Sequence, residues 1–274
     1  MAGGSSRTLL VTLLGAFARR TDDWMPISGI VGLLGALEVD ESSVRTGVSR
    51  LKKRDWLEAE KREGRNGYRL TEQAMRTLAA GDRVIWHARQ PAPLEEGWCI
   101  ASFSVPEKER AKRHLLRSRL AALGFGNVGS GIWIAPARMS TDARQLIDSL
   151  ELREYTNIFC GRHEGGQDLT RMVHEGWDLD EIDGGYRRFL TAHRGDVERL
   201  IARHGAGAIP PREAFVHYMR ALDDWRVLPM RDPGLPRELL RGDWAGDPAA
   251  SLIERVVAEL DAPAFAFVRE IVSA

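Results

Sequence analysis

The sequence contains only two cysteines, Cys99 and Cys160, among 274 residues. A disulfide framework is therefore excluded, and so few thiols fit a reducing compartment. No stretch approaches the ~18 consecutive apolar residues of a membrane-spanning helix. The short apolar run Leu9–Phe17 is followed by basic residues and not by a signal-peptide cleavage site. We therefore expect a cytoplasmic protein with no membrane partner.

The chain also lacks a net charge, because 39 Lys and Arg residues balance 39 Asp and Glu residues. Divided by position, the balance is +4 over residues 1–90 and −2 over each of residues 91–180 and 181–274. The positive excess is concentrated in residues 45–69, which hold nine basic and four acidic residues. A local basic surface of this kind indicates a nucleic acid partner that the neutral total conceals.

Turn-forming residues divide the chain into three parts. Residues 89–97 contain two prolines and a glycine between periodic segments and form a linker. A softer boundary follows an apolar run at Gly165-Gly166. We predict an α+β protein with domains over residues 1–88, 98–166 and 167–274.

The first domain has the element order of a winged helix-turn-helix. Apolar residues at three- and four-residue spacing predict one helix over Leu9–Phe17, and Pro26 begins a second. Asp40 is the expected N-cap of a third helix. The pair Asn66-Gly67 predicts the turn of a basic hairpin after it, and a fourth helix is expected over Glu72–Ala80. Three helices followed by a hairpin are typical of the winged variant of helix-turn-helix proteins.

The third helix has two different sides. Val44, Val48 and Leu51 form its apolar stripe, and the opposite face is polar and basic without an acid. Such a helix fits the major groove, where side chains contact base edges and cations neutralise phosphates. The candidate contacts to a double-stranded DNA operator are Ser42, Arg45, Thr46, Ser49, Arg50, Lys52, Lys53, Lys61, Arg62, Arg65 and Asn66. A winged helix that binds an acidic protein partner is an alternative.

The middle domain has the strand and helix order β-α-β-β-α-β, which predicts a ferredoxin-like fold. The nucleases that acquire CRISPR spacers share this topology and bind a metal through an aspartate at the end of the first strand. Here that region, Ala101–Pro106, has no carboxylate. A metal-dependent nuclease or hydrolase is therefore an alternative, and we expect no enzyme, cofactor or metal. Cys160 and His163 lack the further ligands of a zinc site, so both cysteines are expected to be buried strand residues.

The last domain is predicted to be mainly helical and carries several aromatic residues near arginines. Rings can stack on an aromatic ligand, and arginines can hold its phosphate or carboxylate. The candidate effector-binding residues are Trp177, Tyr186, His217, Trp225, Arg226, Arg231 and Trp244. Packing in the core is the other explanation for the aromatic members of this set.

Several segments, in this order along the chain, resemble the PaaX family of phenylacetate-catabolism repressors. They are Val44–Trp56, Tyr68–Thr71, Trp177–Leu179 with Tyr186 and Phe189 following, Trp225-Arg226, Arg231–Pro236, Leu239-Leu240 and Asp243-Trp244. The resemblance extends over essentially the whole length. It implies a winged helix, a ferredoxin-like middle domain and a family-specific C-terminal domain in a homodimer. It also implies repression of aromatic-acid catabolic genes, relieved by an acyl-CoA such as phenylacetyl-CoA.

Overall fold

A computed structural model of the chain describes residues 6–87, 90–204 and 209–273. Spatial contacts divide the chain into two compact units. The first unit consists of Met1–Arg83, Tyr186–Arg226 and Gly246–Ala274, and the second consists of Val84–Gly185 and Val227–Ala245. The C-terminal third therefore contributes to both units. The three-domain division drawn from chain order stays a prediction.

The first unit begins with the predicted winged helix-turn-helix. Its elements are α1 (Ser6–Phe17), β1 (Trp24–Pro26), α2 (Ile27–Gly35), α3 (Glu41–Lys53), β2 (Leu57–Arg62), β3 (Arg65–Leu70) and α4 (Glu72–His87). Strands β1, β3 and β2 form an antiparallel sheet in that order. The buried apolar residues of α1 and α2 include Leu9, Leu10, Leu13, Leu14, Phe17, Ile30 and Leu34. Helix α4 continues past the predicted end at Ala80.

The hairpin turn lies elsewhere than the sequence predicted. Arg62 pairs directly with Arg65, so the two-residue turn is Glu63-Gly64, where both residues have positive φ (49° and 81°). The prediction of a turn at Asn66-Gly67 is wrong, because both residues are paired within β3. Position 67 requires glycine for a different reason, which is close packing. A Cβ there would lie 2.6 Å from the indole of Trp24 and 2.5 Å from the carbonyl oxygen of Met25.

The second unit contains the predicted ferredoxin-like domain. Its elements are β4 (Trp98–Phe103), α5 (Arg110–Ala122), β5 (Gly126–Gly129), β6 (Ile132–Pro136), α6 (Ser140–Ser149) and β7 (Thr156–Gly161), followed by α7 (Leu169–Gly176). The antiparallel sheet has the order β5-β6-β4-β7. Alternate strand residues such as Ala101 and Trp133 pack on Leu116 and Leu120 of α5 and Ile147 of α6. This arrangement confirms the βαββαβ topology.

The two cysteines stand opposite each other on β4 and β7, yet they differ in exposure. Cys99 is buried in the core, and its burial raises the pKa of the thiol to about 12. Cys160 is exposed, so its predicted burial is wrong. The reason is its place in β7, which is an edge strand that pairs with β4. Most residues of β7 are exposed.

Three further helices follow: α8 (Leu179–His204), α9 (Pro211–Trp225) and α10 (Gly246–Ser273). Within the first unit, α9 packs against α10 and α1. The ring of Phe17 on α1 lies 6.0 Å from that of Phe215 on α9 and 6.2 Å from that of Phe265 on α10. The C-terminal helices therefore complete the core of the winged helix. Within the described ranges, no helix combines the length and the apolar character that crossing a membrane requires.

Candidate DNA-binding interface

The start of α3 is set by a side-chain cap. The Asp40 carboxylate accepts hydrogen bonds from the Ser43 amide (2.9 Å) and the Ser42 hydroxyl (2.6 Å). These hydrogen bonds hold the pKa of the Asp40 carboxyl well below its usual range, because they stabilise the charged form. The cap and the helix dipole favour a negative charge at this end of the helix. The predicted N-cap is therefore confirmed.

The body of α3 is divided into a buried stripe and an exposed face. Val44, Val48 and Leu51 are buried, which confirms the predicted stripe. The predicted contacts on this helix are all exposed, namely Ser42, Arg45, Thr46, Ser49, Arg50, Lys52 and Lys53. An acid borders the face that the sequence predicted to be free of acid, because Glu41 Oε1 lies 2.7 Å from the Nε atom of Arg45. The helix nonetheless presents hydroxyl and cationic groups that can contact DNA.

The cationic residues of the hairpin differ in their surroundings. Lys61 and Asn66 are exposed. Arg62 donates to Glu60 Oε1 at 2.6 Å, which lowers the pKa of the Glu60 carboxyl. Arg65 Nη1 donates to the carbonyl oxygen of Val272 on α10 at 2.7 Å. The two arginines are thus held by the protein, and a phosphate would have to compete with these bonds.

The candidate effector residues are divided between the two units. Tyr186 and Trp225 belong to the first unit and are completely buried, with ring centroids 6.0 Å apart. Arg226 Nε donates to Asp223 at 3.1 Å. His217 is half-buried, and its burial lowers the pKa of the imidazole. In the first unit the aromatic members therefore form part of a core.

The remaining three candidates belong to the second unit. The indole of Trp177 donates to the carbonyl oxygen of Gly124 at 2.9 Å and packs where a Cβ on Gly126 would lie, 2.6 Å away. Trp244 is buried. Arg231 is 67% exposed and lies 3.7 Å from Glu181. Because the seven residues lie in separate units and the rings of Tyr186, Trp225 and Trp244 are buried, their shared role in binding an effector stays a prediction.

Sequence reasoning missed two groups of polar residues in the first unit. Arg7 and Arg54 line a pocket together with residues of α3, and Asp223 is a buried acid on α9. Asp223 had a signal, because it lies four residues after Met219 and eight after Phe215, on the apolar side of the helix. No sequence signal pointed to Arg7, since its partners in the pocket are at least 40 residues away in the sequence.

Among the described residues, no three His, Cys, Asp or Glu side chains lie close enough together to bind a metal ion.

The fold and the exposed basic helix define a winged-helix regulator. Three family models match the chain in order: PaaX-like protein over residues 5–74, PaaX protein central Cas2-like domain over 91–173, and PaaX-like protein C-terminal domain over 177–270. The chain belongs to the PaaX family and is a transcriptional regulator, not an enzyme.

Individual relatives agree with this assignment. The chain is 26% identical to the transcriptional repressor PaaX of Escherichia coli over 271 residues, which cover 97% of this chain and 84% of that protein. Among solved structures, it is similar to the uncharacterized protein Rv0674 from Mycobacterium tuberculosis. That match has a TM-score of 0.62 at 21% identity and covers 98% of this chain and 99% of the other. The likeness to Rv0674 supports the fold.

Proposed function

We propose that this protein represses genes of aromatic-acid catabolism, in particular of phenylacetate, by binding an operator through α3 and the hairpin. The exposed polar and basic face of α3, opposite a buried apolar stripe, is the observation that carries the proposal. In this proposal Ser42, Thr46 and Ser49 contact base edges with Arg45 and Arg50. Lys52, Lys53, Lys61, Arg62, Arg65 and Asn66 contact the backbone. Such a regulator acts in the cytoplasm.

The proposed active form is a homodimer. Two copies of the basic surface would occupy two half-sites about 34–36 Å apart, one turn of the DNA helix, so the operator would be palindromic. A symmetric dimer would present the local basic surface twice, which would strengthen DNA binding by a chain with zero net charge.

An acyl-CoA, phenylacetyl-CoA first among the candidates, is proposed to release the repressor. The ligand would bind better to an arrangement that cannot hold both half-sites, and so shift the dimer from the operator. Arg226 and His217 of the first unit or, alternatively, Arg231 of the second unit are the proposed partners of its phosphates. The rings of Tyr186 and Trp225 are completely buried, so stacking on them would require a rearrangement of the core.

The test is selection of binding sites from random DNA, with and without phenylacetyl-CoA. A palindromic site that is lost on adding the thioester is the expected result, with free CoA as the control ligand. Selection of no preferred sequence would contradict operator recognition and favour a winged helix that binds an acidic protein. A palindrome retained in the presence of phenylacetyl-CoA would contradict the effector but not the repressor.

A further inference from the structure

A pocket of about 310 Å³ opens at the edge of α3 in the first unit. Its lining residues are Arg7, Gly47, Arg50, Leu51, Lys53 and Arg54. Arg7 lies at the start of α1, and the other five belong to α3 or follow its last residue. The pocket therefore lies between α1, the first helix of the winged helix, and the proposed recognition helix α3.

Two features of the sequence shape this pocket: the spacing of residues along α3 and the glycine at position 47. Gly47, Leu51 and Arg54 recur at intervals of four and three, so they lie on the same side of α3. A Cβ on Gly47 would lie 3.0 Å from Cδ2 of Leu10, so the glycine lets α1 and α3 approach closely. Leu51 is buried and provides an apolar floor.

The charges around the pocket are all of one sign. Arg7, Arg50, Lys53 and Arg54 surround it, and no acidic residue lines it in the described part of the chain. None of the four forms an ion pair with a residue within the described ranges, in contrast to Arg45, which contacts Glu41. Like charges repel, so a cluster of four without a carboxylate favours the binding of an anion.

We propose that this pocket binds a phosphate group of the DNA backbone and so fixes α3 in the major groove. Arginine and lysine side chains are the usual partners of phosphate oxygens. Arg50 and Lys53 also belong to the exposed face of α3, the helix that such motifs place in the major groove, so the pocket borders the proposed DNA-binding face. The proposal rests on the function proposed above and adds Arg7 and Arg54 to the DNA interface.

The experiment compares wild type with Arg7→Gln, Arg54→Gln and the double variant on the selected operator across a salt series. Arg255→Gln, which removes an exposed cation from α10, is the matched control. The double variant should lose about one unit of the salt slope, and its affinity should fall by the same factor on operator and on unrelated DNA. An unchanged melting temperature shows that the variants fold.

A modified operator makes the test specific. Replacing single backbone phosphates by uncharged methylphosphonates should reveal one position that weakens wild type but does not weaken the double variant further. If wild type binds the operator while every variant keeps its salt slope, the pocket proposal is wrong. If wild type selects no operator, the proposed function fails, and the assignment of the pocket to an operator phosphate fails with it.

A free phosphate or phosphate ester is the other ligand whose phosphate group this pocket could bind. Inorganic phosphate and ADP are titrated into wild type and the double variant by calorimetry in the absence of DNA. Submillimolar binding that the double variant loses, with unchanged salt slopes on DNA, would assign the pocket to a soluble ligand and overturn its assignment to the backbone. Weak or absent binding together with a reduced slope supports the proposal.

Discussion

Thr12 on α1 donates a 2.6 Å hydrogen bond to Asp223 on α9, and both residues are almost completely buried, with exposures of 4% and 6%. Thr8 donates to the same carboxylate at 2.9 Å, and Arg226 Nε donates at 3.1 Å. This buried carboxylate ties the winged helix to a C-terminal helix of the first unit. Helix α1 also packs on α3, so α1 contacts both α9 and the helix with the exposed basic face.

We expect Asp223→Ala to lower the free energy of unfolding by about 2–4 kcal/mol, because two hydroxyls and a guanidinium would lose their buried acceptor. Thr12→Val should cost about 1 kcal/mol, since the carboxylate keeps two other donors. Urea unfolding measures both. The control is Thr191→Val, an exposed threonine of α8, which should stay within about 0.5 kcal/mol of wild type. An Asp223→Ala variant as stable as this control would contradict the structural role of the bridge.

The face of α3 is tested by Arg45→Ala and Lys53→Ala. Arg45→Ala should weaken operator binding by about 1–3 kcal/mol if the guanidinium contacts a base, and it should relax the preference at one position. Lys53→Ala should reduce the salt slope by about one unit with no change in preference. Gel shifts across a salt series measure these effects. Arg76→Ala is the control, because it removes from α4 an (i,i+4) ion pair like that of Arg45 with Glu41. It should bind the operator as wild type does. If both α3 variants also match wild type at every salt concentration, α3 is not the recognition helix.

Gly67→Ala should destabilise the winged helix by about 1–3 kcal/mol, because the new methyl group overlaps the Trp24 indole and a backbone oxygen. Gly35→Ala, at the end of α2, meets no atom within 4 Å and should change stability by about 0.5 kcal/mol or less. Thermal unfolding of both variants is the measurement. Equal midpoints would contradict the packing of Trp24 on β3.

Stability below neutral pH should depend on His217. Burial holds the pKa of its imidazole below the ordinary value of 6.5, although Asp196 and Glu213 oppose this shift. The unfolded chain therefore binds the proton at higher pH than the folded chain. The contribution of His217 to the free energy of unfolding is complete above about pH 6.5 and declines as the pH falls from there to the folded pKa.

Urea unfolding at several pH values tests this dependence. Between about pH 7.5 and about pH 5, His217→Gln should lose less stability than wild type, because the desolvated imidazole is gone. His163→Gln, which changes an exposed histidine, should follow the wild-type curve. Parallel curves for wild type and His217→Gln would show that the imidazole is not desolvated in the folded protein.

Elements whose patterns are local were predictable from the sequence. The stripe Val44, Val48 and Leu51 identified α3, and the Asp40 cap marked its start, because both depend on residues a few positions apart. The βαββαβ order followed from strand and helix signals within residues 98–166. The three-residue strand β1 was not predictable, since Trp24–Pro26 is too short to show an alternating pattern and exists by pairing with β3.

The hairpin shows where local signals failed. Asn66-Gly67 and Glu63-Gly64 are both acceptable turns, and the turn at Glu63-Gly64 pairs Leu57 with Leu70, which are both buried. The indole of Trp24 on β1, outside the hairpin, also occupies the space beside Gly67.

The sequence by itself determined the winged helix, the ferredoxin-like order and the basic face of α3, because these depend on periodicity, caps and charge, which are short-range properties. The resemblance of several segments, in order along the chain, indicated the family. Tertiary structure alone decided that Tyr186 and Trp225 are core rings, that Asp223 accepts from Thr12, and that Arg7 meets Arg54 at one pocket. The reason is physical: burial and the convergence of charges depend on which helices pack together, and that packing joins residues more than two hundred positions apart.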